Sequence, residues 1–163
     1  MSAPVVRICF VCLGNICRSP TAEAVMRHLL AQEGLADRVY VESAGTGSWH
    51  LGEPADRRSV AHGTRRGFVF DRAAQQISAR YFTRFDLFLV ADASNLAAVR
   101  RLAPNDADRN KVQLLRSFEP DAAPGAEVPD PYTSGPEGFE EVLDICEAAC
   151  AGLLAHLRET HAF

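Results

Sequence analysis

The stretch Val11-Cys12-Leu13-Gly14-Asn15-Ile16-Cys17-Arg18-Ser19-Pro20 decides the fold. The apolar run Val5-Val6-Arg7-Ile8-Cys9-Phe10-Val11 leads into it and reads as a buried strand. On the far side, Ser19 is placed to cap a helix, Pro20 takes the first helical position and Glu23 lies in the first turn. Ala22, Val25, Met26, Leu29 and Leu30 then recur at helical spacing, and Gly34 stops the run. A short loop from a strand end to a helix N-terminus is an anion site. Unpaired amide N–H groups converge there, and the helix dipole adds positive potential.

Two side chains turn this cradle into a reaction centre. Arg18 stands six residues after Cys12, and its planar fork can grip two oxygens of a bound phosphate while Cys12 sits beneath the phosphorus. The amides and the Arg18 charge favour a thiolate nucleophile. The Ser19 hydroxyl can donate to that sulfur and make it a better leaving group. Gly14 supplies a positive φ and Asn15 tolerates a left-handed one, so that the amides from Leu13 through Ile16 and Cys17 can turn inward. Cysteine and arginine at this spacing are common by themselves. The whole run, set between a strand and a helix start, carries the signal; the bland alternative is a buried Cys12 in an ordinary turn.

The run from Cys12 to Pro20 closely resembles the phosphate loop of the low-molecular-weight protein tyrosine phosphatases. Chain length, strand–helix order and two later motifs match as well, so the resemblance covers essentially the whole chain. It implies hydrolysis of phosphotyrosine in proteins, with no metal and no cofactor. It further implies that Cys12 is the nucleophile, that Arg18 binds the phosphoryl group, and that free phosphate and related oxyanions inhibit. In the family, cysteines at the positions of Cys12 and Cys17 can form a reversible disulfide, so Cys17 is expected to be a resolving thiol rather than mere packing.

A chain of 163 residues is expected to form one domain, residues 1–163, with a real core. Hydrophobic content of 47% and charge content of 23% are ordinary for a globular protein. The net charge of −4 argues against a general nucleic-acid or anionic-membrane binder, and the paired arginines at 57–58, 65–66 and 100–101 read as solvated helix faces. No membrane span or signal pattern is evident, so a cytoplasmic monomer is expected, with leaderless export left open. Five cysteines at irregular spacing do not make a secreted disulfide framework. Cys9, and the helical pair Cys146 and Cys150, read as core.

Strands are expected at residues 38–43, 85–91 and 111–115, and helices at 54–66, 77–84, from Asp92 to Leu102, and from Ser134 to beyond Leu157. Strands alternating with helices imply a doubly wound, three-layer α/β domain. A small four-stranded parallel sheet lies at its centre, with the phosphate loop beyond the carboxyl end of the first strand. Asp92 is read as a helix cap that also reaches the site rim. Ser134-Gly135-Pro136-Glu137 has the form of a capping box.

Trp49, in the turn after the second strand, is poorly explained as core and suits one wall for a phenyl ring. His50 beside it reads as solvated. The Pro-, Gly- and Asp-rich segment 119–136 is long enough to be a functional loop. Phosphatases of the resembled family carry their general acid in an Asp-Pro-Tyr motif, here Asp130-Pro131-Tyr132, which implies Asp130 as acid and then base, and Tyr132 as the wall opposite Trp49. Two departures stand out. Many relatives have a second tyrosine where Thr133 stands, and Asp71 takes the apparent place of a histidine that helps fix the loop asparagine.

Three rivals share the loop. Thiol-linked arsenate reductases on a related scaffold use relay cysteines, and none lies between Cys17 and Cys146, which counts against that rival although an external low-molecular-weight thiol could substitute. Phosphoarginine phosphatases tend to carry threonine where Ile16 stands. A phosphoprotein-binding module would need neither Cys12 nor an acid.

Overall fold

Strand β1 (Val6–Cys12) is apolar at almost every position because both of its faces are covered. The computed structural model describes residues 4–163. After β1 come α1 (Arg18–Gln32), β2 (Val39–Gly45), α2 (Arg57–Arg65), a 3-10 turn (Ala79–Thr83), β3 (Leu87–Val90), α3 (Ala93–Leu102), α4 (Asp106–Arg109), β4 (Val112–Leu114), a second 3-10 turn (Leu115–Phe118) and α5 (Pro136–Thr160). The strands form one parallel sheet in the order β2-β1-β3-β4. Cys12 pairs with Gly45 on one side of β1, and Val11 with Val90 on the other.

Alternate residues of β1 feed two cores. Ile8, Phe10 and Cys12 pack under α1 and α5, among Val25, Met26, Leu30, Leu143, Cys146, Cys150 and Leu153. Cys9 and Val11 face the opposite layer, built from Tyr81, Phe82, Phe85, Phe88 and Val99. This is the expected three-layer, doubly wound arrangement. The chain leaves β1 for β2 on one side and returns to β3 on the other, so the carboxyl end of β1 is the switch point where such sheets take ligands.

Local details differ from expectation where a side chain has better employment. Helix α1 begins at Arg18, and Cys17 at its N-cap offers no side-chain bond, because the Ser19 hydroxyl points to the Cys12 sulfur instead. Helix α2 is shorter than residues 54–66: Asp56 caps it by accepting the Arg58 N–H at 2.8 Å, while Pro54 bridges to Ala73. The expected helix at 77–84 is only a 3-10 turn, and β3 occupies four residues of the apolar run at 85–91. Ser134 does not cap α5; its hydroxyl donates to the Pro131 and Gly135 carbonyls, and the helix starts at Pro136. Asp92 does cap α3, accepting the Asn95 N–H at 2.8 Å. Among the described residues no helix is long and apolar enough to cross a membrane.

Candidate active site

The loop from Cys12 to Arg18 is held by its carbonyls and leaves its amides free. Thr46 and Gly47 donate to the Cys12 and Leu13 carbonyls, each at 2.9 Å, and Asp56 donates to the Ile16 carbonyl at 2.8 Å. The Cys17 carbonyl takes the Thr21 hydroxyl at 2.7 Å. None of the N–H groups from Leu13 to Cys17 has a protein acceptor among the described residues. Five donors around one bend, at the start of a helix, make a cup for an anion.

Backbone geometry explains the bend in part as anticipated. Asn15 is left-handed, with φ of 57°. Gly14 does not take the expected positive φ; its lack of a side chain matters because a Cβ there would lie 3.1 Å from the His50 ring. Gly45 is needed for closeness too, since a Cβ on it would stand 2.7 Å from the Leu13 carbonyl oxygen. The end of β2 is thus pressed against the loop it supports.

A chain of hydrogen bonds runs from the sulfur to a buried carboxylate. Cys12, only 3% exposed, has its Sγ 3.0 Å from Ser19 Oγ. Asn15 Nδ2 donates to Ser19 Oγ at 2.8 Å and to Ser43 Oγ at 3.0 Å, while its Oδ1 accepts the Gln75 N–H at 3.0 Å. Ser43 in turn donates to Glu23 Oε1 at 2.6 Å. Burial pushes the Glu23 carboxyl up, and the Ser43 hydroxyl, Arg72 and Arg27 pull against that. Arg72 Nε lies 2.6 Å from Glu23 Oε2. Asp71 is outside this chain: it pairs with Arg27 at the surface, 2.8 Å away. From this segment Gln75 bonds Asn15 directly, and Arg72 reaches the far end of the chain at Glu23.

Arg18 is 6% exposed and half tied down. Its Nη1 donates to Asp92 Oδ2 at 2.8 Å and to the Val128 carbonyl at 3.0 Å. Among the described residues Nη2 has no such partner; it stands 4.0 Å from Asp130 Oδ2, which leaves that side of the fork for a ligand. Burial pulls the guanidinium down, but Cys12, Asp92 and Asp130 more than offset it and hold Arg18 above its ordinary value. It stays a cation.

Cys12, Leu13, Gly14, Ile16, Cys17, Arg18, Trp49, His50, Asp130 and Tyr132 surround one pocket of about 150 Å³. The residues singled out in the sequence as reacting groups and ring walls therefore converge. Asp130 is half exposed above the cup, and the Tyr132 N–H donates to its Oδ1 at 3.0 Å, which leaves Oδ2 facing Arg18. Trp49 is 70% exposed, and its ring folds over Gly47, where a Cβ would meet it at 2.0 Å. Thr133 is exposed and is not among the residues that line the pocket. Cys17 packs with Ile16, Ala74 and Phe139; burial pushes its thiol up to about 12, with a Ser59 hydrogen bond pulling the other way. All five cysteines are free thiols.

Glu23, Ser43, Gln75 and Arg72 were not legible as site residues. Glu23 read as an ordinary helix-start acid, and the other three reach Asn15 or Glu23 only through the fold.

The family model for low molecular weight phosphotyrosine protein phosphatase matches residues 7–162. A Streptomyces coelicolor protein named low molecular weight protein-tyrosine-phosphatase is 53% identical over 154 residues, covering 94% of each chain. The crystal structure of a protein tyrosine phosphatase from Entamoeba histolytica is similar with a TM-score of 0.90 and 37% identity, covering 95% of this chain and 98% of that one. A Drosophila arginine phosphatase is similar with a TM-score of 0.83 and 32% identity, over 93% of this chain and 97% of that one.

Proposed function

The chain belongs to the low molecular weight phosphotyrosine protein phosphatase family, and we propose that it hydrolyses phosphotyrosine in proteins through a phosphocysteine on Cys12. The Cys12 thiolate attacks phosphorus in line, forming the S–P bond as the P–O bond to the tyrosyl ring breaks. Asp130 gives its proton to the departing oxygen. The loop amides and the free side of Arg18 hold the equatorial oxygens as charge builds on them. Asp130, now a carboxylate, takes a proton from water as that water attacks phosphorus. The S–P bond breaks, releasing inorganic phosphate and restoring the thiolate. Ser19 donates to the sulfur as it leaves.

The observation that carries this reading is the set of five unpartnered amides around Cys12, with Arg18 beside it and Asp130 across the pocket. Trp49 and Tyr132 suit the two faces of a phenyl ring, which favours an aryl phosphate. Ile16 lines the pocket where phosphoarginine phosphatases of the resembled family tend to carry threonine, which favours phosphotyrosine over phosphoarginine. For arsenate reduction, no cysteine between Cys17 and Cys146 is available to relay a disulfide. The reading is of one domain, residues 1–163, acting as a cytoplasmic monomer, with Cys17 as the partner for an oxidised Cys12.

Replacing Cys12 by Ser tests the mechanism. Release of phosphate from a phosphotyrosine peptide should vanish, while the folded protein still binds inorganic phosphate. Near-normal turnover by Cys12→Ser would overturn it.

A further inference from the structure

The segment that carries Asp130 and Tyr132 is lightly attached. Val128 is fixed by its N–H to the Ala91 carbonyl at 2.8 Å and by Arg18 at its own carbonyl. Pro131 is buried at the first turn of α5. Between these points, every hydrogen bond of residues 129–134 among the described residues stays within the segment or goes to Gly135. Nothing of that kind reaches the Tyr132 ring, which is 48% exposed.

Two side chains approach it, the His50 ring at 6.4 Å between centroids and, closer, Arg58. The Arg58 guanidinium carbon lies 5.3 Å from the Tyr132 ring centroid and 4.7 Å from that of Phe139. Its orientation is set by Asp56, which takes Nε at 3.1 Å and Nη2 at 2.9 Å on its two oxygens. Asp56 in turn is bonded through its N–H to the Ile16 carbonyl of the phosphate loop. Phe139 packs on Ile16 and Cys17 of the same loop. A planar cation clamped edge-on by a carboxylate presents its face to aromatic rings, which attract it electrostatically and stack on it.

We propose that Arg58 is a positioning residue that fixes Tyr132 at a set distance from the phosphate loop, so that the ring wall and the cup hold one phosphoaryl group together. Arg58 does not line the pocket and touches no reacting atom. It acts on the substrate ring through Tyr132, and the proposal rests on the aryl-phosphate reading given above.

The test uses two ligands that are not turned over, inorganic phosphate and benzylphosphonate, with binding read from the fluorescence of Trp49, the one tryptophan in the chain. Phosphate reports the cup alone, and benzylphosphonate reports cup and walls. Arg58→Met should weaken benzylphosphonate by about fivefold, the size of a partly exposed cation–π contact, and leave phosphate unchanged. Arg58→Lys, which keeps a cation but not the fork, should fall between. In a Tyr132→Ala background, Arg58→Met should have no further effect, since the group it acts through is gone. The same loss in both backgrounds, or a parallel loss of phosphate affinity, would overturn the proposal by showing that Arg58 merely supports the fold. A wild-type protein that binds benzylphosphonate no better than phosphate would overturn the aryl-phosphate reading itself, and this proposal with it.

Discussion

Ser19 Oγ stands 3.0 Å from Cys12 Sγ while accepting the Asn15 amide at 2.8 Å. That order matters. An oxygen already accepting from Asn15 has its own hydrogen to give, and among the described residues the only other acceptor near it is the Ala44 carbonyl at 3.4 Å. When the sulfur is anionic, the hydrogen goes to the sulfur. Ser19 is thus a donor set in direction by its neighbours, and in the proposed mechanism its effect falls on the step in which sulfur leaves phosphorus.

Ser19→Ala should therefore slow breakdown of the phosphocysteine more than its formation. A hydrogen bond to a charged group is worth about 1.5–3 kcal/mol, so that step should slow by about ten- to a hundredfold. Rapid-quench kinetics with an aryl phosphate should show a burst of phenol larger than in wild type. A uniform loss with no gain in burst would contradict the assignment.

Asp130→Asn should cost most where the departing oxygen most needs a proton. A general acid contributes about a hundred- to ten-thousandfold. Single-turnover release of phenol from phenyl phosphate should fall toward the larger figure, and release of p-nitrophenol from its phosphate much less. Equal losses on both substrates would count against Asp130 as the acid.

How much of this was legible in the chain depends on distance along it. The phosphate loop is local: an apolar strand, a glycine, a cysteine, an arginine and a helix start follow one another within a few turns, so both fold and chemistry show there. The Asn15 support is not local. Ser43 is 28 residues away, Gln75 is 60 away, and no periodicity marks them. Glu23 misled because an acid near a helix start has a ready electrostatic reading, although it is in fact buried under Ser43. Ser134 misled in the opposite direction, since the local pattern of a capping box was present but the hydroxyl is spent on the Pro131 turn. The short helix α4 had a signal, Asn105, whose side chain accepts the Asp108 N–H at 2.8 Å.

Alkylation should single out one cysteine. Burial pushes Cys17 and Cys146 up to about 12 and raises Cys9 and Cys150 as well, so these four stay protonated at neutral pH. Iodoacetamide at neutral pH should modify the folded protein once, at Cys12, and saturating phosphate should protect it. Peptide mapping by mass spectrometry checks both statements.

Acid should destabilise the protein partly through Glu42. Burial alone would raise this carboxyl, but hydrogen bonds from Tyr40 and Gln75 and the charge of Arg84 outweigh it and hold the group below its ordinary value. A depressed carboxyl stabilises the fold above its unfolded range and loses that contribution as pH falls. Glu42→Gln should accordingly be less stable than wild type near pH 7 and show a shallower decline between about pH 5 and pH 3. Urea denaturation across that range measures the slope, and an unchanged slope would discard the assignment.

The segment 129–134 shares almost no hydrogen bonds with the body of the molecule, whereas the loop beneath it is fastened through four of its carbonyls. The ring wall and the sulfur's cup are therefore fastened separately, and Asp130 is the one residue of the upper segment that the chemistry also needs. With Asp130 kept in place, exchanging the neighbouring Thr133 should alter which phosphoproteins are admitted without loosening the sulfur's surroundings. Such a division makes this small scaffold a convenient starting point for altering substrate preference one side chain at a time.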